Sequence, residues 1–77
     1  MTATRRVTGH ITIVQEERFR LEADDGRAFL FTLANRANVG AADLHAFRRG
    51  RTPVAVDFSG EPDLESGVAQ RIRRAEW

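Results

Sequence analysis

The chain of 77 residues has no cysteine and no tyrosine, one methionine and one tryptophan. Without cysteine there is no disulfide framework and no thiolate metal site, so a chain near the lower end of domain size must rely on one hydrophobic core. A single domain over residues 1–77 is expected, with residues 1–4 as a flexible N-terminus. No apolar run approaches the roughly 18 residues of a membrane helix, and the first residues lack an apolar signal region. The expected address is therefore the cytoplasm, without membrane contact. At 42% hydrophobic and 30% charged residues, the composition is that of a folded globular chain and not a disordered one.

Lysine is also missing, and all 12 basic residues are arginine. They balance 11 acidic residues to a net charge of +1, so the charge sum points to no class of partner. Their distribution is uneven. Groups occur at Arg5 and Arg6, at Arg18 and Arg20, at Arg48, Arg49 and Arg51, and at Arg71, Arg73 and Arg74.

Residues 7–14 place Val7, Gly9, Ile11 and Ile13 on one parity and Thr8, His10 and Thr12 on the other, which predicts a strand with one wet face. Gly9 falls on the apolar side, where an interior glycine marks a bend or a close backbone approach. A short polar connection over 15–17 leads into a second strand over 18–23, with Phe19 and Leu21 opposed to Arg18, Arg20 and Glu22. Asp24, Asp25 and Gly26 form the strongest turn signal in the chain. A third strand follows over 27–33, and its register depends on the turn. With three loop residues and a left-handed Gly26, Leu21 pairs with Phe29 and Phe19 with Phe31, so the rings face the core. With a two-residue turn the rings face outward beside Arg20 and Glu22. Exposing Phe29, Phe31 and Leu33 would forgo about 1.5–3 kcal/mol each, which favours the three-residue loop.

Residues 34–40 read as a loop. Residues 41–49 read as a short helix carrying Ala41, Leu44 and Phe47 or Arg48 on one stripe, started by Gly40 or Asn38, with Asp43 in its first turn and Arg48 and Arg49 in its last. Those two arginines are accounted for by the helix end. Pro53 opens a fourth strand with Val54, Val56 and Phe58 on one face. A polar segment over 59–66 carries Glu61, Asp63 and Glu65. A fifth strand over 67–74 is expected to turn Val68 and Ile72 to one face and Arg71 and Arg73 to the other.

Three strands, a short helix and two more strands give an all-β chain with one helix between strands three and four, in the element order of a five-stranded, partly open OB-like barrel. Gly9 to Val14, the run Phe19-Arg20-Leu21-Glu22, Asp25-Gly26-Arg27, Gly50 before Val54-Ala55-Val56, and Gly67 with Ile72 resemble bacterial translation initiation factor one and related small RNA-binding barrels, over roughly residues 5–74. The resemblance implies the barrel and an RNA-binding role. Against the family pattern, the segment before the last strand is acidic.

The chain offers little for catalysis. His10 and His45 lie on separate elements without a carboxylate at ligand spacing, and no glycine-rich phosphate cradle or nucleophile elbow is present, so neither an enzyme, a cofactor nor a metal site is expected. The function expected is binding of RNA or single-stranded DNA through Arg5, Arg6, Arg18, Arg20, Arg71 and Arg73 on the barrel wall. The alternative is a protein-interaction module in which Leu30, Trp77 and the arginines form a mixed surface. Trp77 either folds over apolar surface or anchors a contact. The oligomeric state is left open.

Overall fold

A computed structural model describes residues 4–60 and 66–75. Five strands and one helix follow in order: β1 Thr4–Gln15, β2 Arg18–Ala23, β3 Ala28–Leu33, α1 Ala41–Arg49, β4 Val54–Ser59 and β5 Ser66–Arg74. The strands close into a ring in the order β1-β2-β3-β5-β4, so the barrel expected to be partly open is closed, by parallel pairing of Leu30 to Leu33 with Ser66 to Ala69. This is the OB-like architecture expected from the sequence, with the helix between β3 and β4.

The hairpin joining β2 and β3 adopts the register that buries the rings. Leu21 pairs with Phe29 and Phe19 with Phe31, and Gly26 sits at φ 92°, in the left-handed region that glycine enters without a Cβ clash. Phe31 then lies 4.8 Å from Phe58, 5.4 Å from Phe19 and 5.7 Å from Phe29 between ring centroids, at separations typical of attractive aromatic pairs. Leu21, Leu44, Val54, Val56 and Ile72 complete a core from which water is excluded. Leu44 belongs to α1, whose start is held by a reciprocal pair: the Asp43 carboxylate accepts from the Gly40 N–H at 2.9 Å, and the Gly40 carbonyl accepts from the Asp43 N–H at 3.0 Å.

Gly9 is where the barrel bends. It is paired on one edge with Val54 of β4 and on the other with Ala23 of β2, so β1 hands over from one neighbour to the next at this residue. A Cβ here would collide with the Glu22 carbonyl oxygen and lie 2.8 Å from the Ala23 Cα, both backbone atoms. The close approach expected of this glycine is thus observed.

Two expectations about which side chains face inward are corrected. The register between β1 and β2 shifts after Ile11, so that Ile13 pairs with Arg20 on the outside and Val14 turns partly inward. A second shift between β4 and β5 sets Asp57 against Arg71 and Phe58 against Ala69, so Ala69 and Ile72 are buried and Val68 faces out. One extra residue in a strand reverses the parity of everything beyond it. The flexible N-terminus expected over residues 1–4 does not include Thr4, which pairs with Ser59.

A side chain completes the ladder where a strand is missing. β3 leaves β5 after Leu33 and Ala69, and Asn38 in the following loop docks on the edge so vacated. Its Nδ2 donates to the Ile72 carbonyl at 2.8 Å and its Oδ1 accepts from the Ile72 N–H at 2.9 Å, the two bonds a neighbouring strand would have made. Asn38, considered as a helix cap, has this role instead.

Candidate functional site

The two register shifts create a surface feature. Ile13, Leu30 and Val68 are 56%, 63% and 40% exposed, and all three line one groove of about 550 Å³ on the outer wall. Strand pairing sets its floor. One row runs Ile13, Arg20, Leu30, Ser66 across β1, β2, β3 and β5, and the next runs Arg18, Thr32, Val68 beyond Gln15. Neighbouring strands are about 4.8 Å apart, so each row is a continuous lateral surface. Aliphatic side chains thus lie on both sides of the arginine pair contributed by β2. Arg20 is steadied there, its Nη1 donating to the Thr12 Oγ1 at 3.1 Å. Isolated exposed aliphatics are ordinary on a soluble protein, but these three converge on one concave surface.

The six arginines expected to act together do not share a surface. Arg18 and Arg20 line the groove. Arg6, Arg71 and Arg73 belong to the wall formed by β1, β4 and β5, where Arg6 and Arg71 flank Asp57 from its two neighbouring strands. Arg6 Nε lies 2.6 Å from Asp57 Oδ1 and its Nη2 3.3 Å from Oδ2, a two-pronged pair. The hydrogen bond from Arg6 is the main cause that holds the Asp57 carboxyl below the usual carboxylate range; partial burial opposes it, and the charges of Arg6, Arg73 and Arg71 reinforce it. Arg5 pairs across the strands with Phe58, its guanidinium 5.3 Å from that ring's centroid. Trp77 and the acidic residues Glu61, Asp63 and Glu65 lie outside the described residues.

Sequence reading found Leu30 and the β2 arginines, but missed Ile13 and Val68. Their parity with buried neighbours hid them, and only a signal for the bulges would have revealed them.

No protein-family model matches the sequence, and no curated protein matches it. Solved structures do match. Apo-CusF from Escherichia coli superposes with a TM-score of 0.68 at 13% identity, over 99% of this chain and 92% of that one. Ag(I)CusF superposes with a TM-score of 0.63 at 14% identity, over 95% and 99% of the two chains. A tryptophan-to-alanine variant of CusF carrying Cu(II), from Escherichia coli, gives 0.62 at 14% identity, over 95% and 92%. Identities this low establish a shared barrel and nothing finer.

These neighbours correct three expectations. The translation-factor resemblance does not stand beyond the barrel itself. RNA or single-stranded DNA binding is not supported, because the matching barrels are metal-binding proteins, solved with Ag(I) and Cu(II). The physical reason agrees: Phe19, Phe29, Phe31 and Phe58 are all buried, so among the described residues no fully exposed ring offers a base a stacking platform, and Arg6 is already engaged by a carboxylate. The cytoplasmic address expected from the sequence finds no support in these neighbours either, whose likeness establishes the barrel alone.

Among the described residues, no donor set suited to the soft metal of CusF is present. Soft cations such as Ag(I) favour thiolate or thioether donors, and the described residues contain no sulfur. Nor, among the described residues, does any group of three or more His, Cys, Asp or Glu side chains converge as a metal site. His10 on β1 and His45 on α1 therefore do not fit that ligand.

Proposed function

We propose that this barrel is a non-catalytic protein-interaction module, and that the groove lined by Ile13, Leu30, Val68, Arg18 and Arg20 is its docking surface. The observation that carries the reading is the convergence of the three exposed aliphatic side chains on one groove. The likeness to CusF, a barrel solved with Ag(I), is in keeping with the coarser statement that the domain binds a partner.

The chemistry of the groove selects its occupant. Within it, β2 is hydrogen-bonded to β1 and β3, and β3 to β5, so the floor has no unpaired edge on which a partner could add a strand. Recognition must use side chains. Two guanidinium groups between aliphatic flanks complement a segment whose carboxylates are flanked by large apolar residues, and arginine and apolar anchors are the groups that dominate such contacts.

The test uses a peptide of alternating leucine and glutamate and its leucine–lysine counterpart. The acidic peptide should bind the wild type, bind at least tenfold more weakly to Leu30→Glu and to the Arg18→Glu, Arg20→Glu double variant, and prefer the wild type over its basic counterpart. Equal affinity for both peptides, or unchanged affinity in the variants, would overturn the reading.

A further inference from the structure

A second cavity, of about 350 Å³, lies where β1 meets the exit of α1, lined by His10, Ile11, Thr12, Arg48 and Arg51. The fold produces it directly. β4 pairs with β1 only as far as Gly9, so the β4-facing edge of residues 10–12 has no strand partner, and the turn that follows α1 stands across the gap. We infer that this cavity is a binding site for a compact oxyanion of the phosphate class, held by the guanidinium groups of Arg48 and Arg51 with His10 as a further hydrogen-bonding group.

Helix capping accounts for part of this charge but not for all of it. Arg48 and Arg49 occupy the last turn of α1, where the dipole favours cations. Arg51 lies beyond the Gly50 cap, outside the helix, and holds a left-handed backbone at φ 50° that an L side chain rarely adopts. It nonetheless lines the cavity beside Arg48. The ion pairs formed among the described residues are Arg6 with Asp57 and Arg27 with Asp25, so neither cavity arginine is neutralised by one of those carboxylates. Asp24 accepts from the Thr8 hydroxyl and Asp43 from the Gly40 N–H, which commits both elsewhere. Glu22, the cross-strand partner of His10, is the carboxylate nearest in register, and it lies on β2, away from the β4-facing gap. A tetrahedral oxyanion suits the arrangement, because it can accept from two guanidinium forks at once while the open strand edge supplies shorter-range donors; the Thr12 hydroxyl is committed to Arg20.

The test is titration with inorganic phosphate at constant ionic strength, followed by backbone amide chemical shifts. Saturable changes confined to residues 10–12 and 48–51 are expected in the wild type. The dissociation constant should rise at least tenfold in the Arg48→Gln, Arg51→Gln double variant and stay unchanged in Arg36→Gln, whose exposed side chain lies in the loop after β3. Glutamine leaves the backbone requirement at position 51 as it is, and both arginines are exposed, so the variant should fold. A capped phosphoserine peptide distinguishes the sources of the ligand. Tighter binding than phosphate identifies a phosphorylated protein side chain, and equal or weaker binding identifies the free anion. Shifts that do not saturate across the millimolar range, or that are the same in the double variant, would overturn the inference. The Leu30→Glu variant should bind phosphate normally, which separates this site from the groove.

Discussion

Replacing Asn38 by alanine removes two hydrogen bonds from the open edge of β5, those to the Ile72 carbonyl and from the Ile72 N–H. The net worth of an intramolecular hydrogen bond is about 1 kcal/mol, so their joint loss should cost about 2 kcal/mol, since this edge is only part-buried and water can replace some of what is lost. For a domain of this size that corresponds to a fall in Tm of about 8–16 °C. Thermal and urea unfolding measure the loss, and the urea midpoint should drop without a change in slope. Amide hydrogen exchange locates it, because the Ile72 N–H should lose protection while Leu21 and Phe31 keep theirs relative to global unfolding. Asn38→Asp retains the acceptor but sets a carboxylate against the Ile72 carbonyl, and should be at least as destabilising at neutral pH. Asn35→Ala, at an exposed position in the same loop, should stay within about 0.5 kcal/mol of the wild type. If Asn38→Ala and Asn35→Ala unfold together, or if Ile72 exchange is unchanged, the amide is not acting as a substitute strand and the reasoning fails.

Gly9→Ala should be among the most damaging single changes, costing about 3 kcal/mol or more, because its Cβ would meet backbone atoms of β2 that cannot move without opening the barrel; equilibrium unfolding measures it, and a loss under about 1 kcal/mol would contradict the close approach. The Asp57 carboxyl, held below its ordinary range chiefly by the hydrogen bond from Arg6, contributes stability that is present above about pH 4 and fades as pH falls through its depressed folded value. Asp57→Asn should therefore flatten the decline in urea midpoint between neutral and strongly acidic pH, and an identical decline in wild type and variant would remove Asp57 from the account.

The parts of the fold that were legible in the sequence are those governed by local chemistry. Asp24-Asp25-Gly26 specified a turn, and the energetic demand to bury Phe29 and Phe31 chose its register without reference to any distant residue. Gly9 was legible for a related reason, since a glycine on the apolar parity of a strand has few explanations. The bulges were not legible. Thr12 and the pair Gln70 and Arg71 have no residue type that demands an extra position, and the shift exists only in relation to the partner strands. The same holds for Asn38, whose partner is 34 residues away, and for the arginines, which the order of strands around the barrel divides between two walls. The candidate groove was half visible, because Arg18, Arg20 and Leu30 lie on strands whose alternation is regular and Ile13 and Val68 lie beyond the breaks.

That division has a consequence for how stability and binding should separate. Phe31 and Leu30 are adjacent in β3, yet Phe31 is 2% exposed and touches three other rings, whereas Leu30 is 63% exposed above the same backbone. Phe31→Ala should cost about 3–5 kcal/mol, enough to unfold a marginally stable small domain. Leu30→Thr keeps a good strand former at an outward position and should change stability by less than about 0.5 kcal/mol, and Ile13→Thr and Val68→Thr should do the same. The triple variant should then melt within a few degrees of the wild type while losing its affinity for the acidic amphipathic peptide. A fold that needed those three side chains would instead lose stability in proportion to their number, and the groove would be a by-product of packing with no partner to explain it.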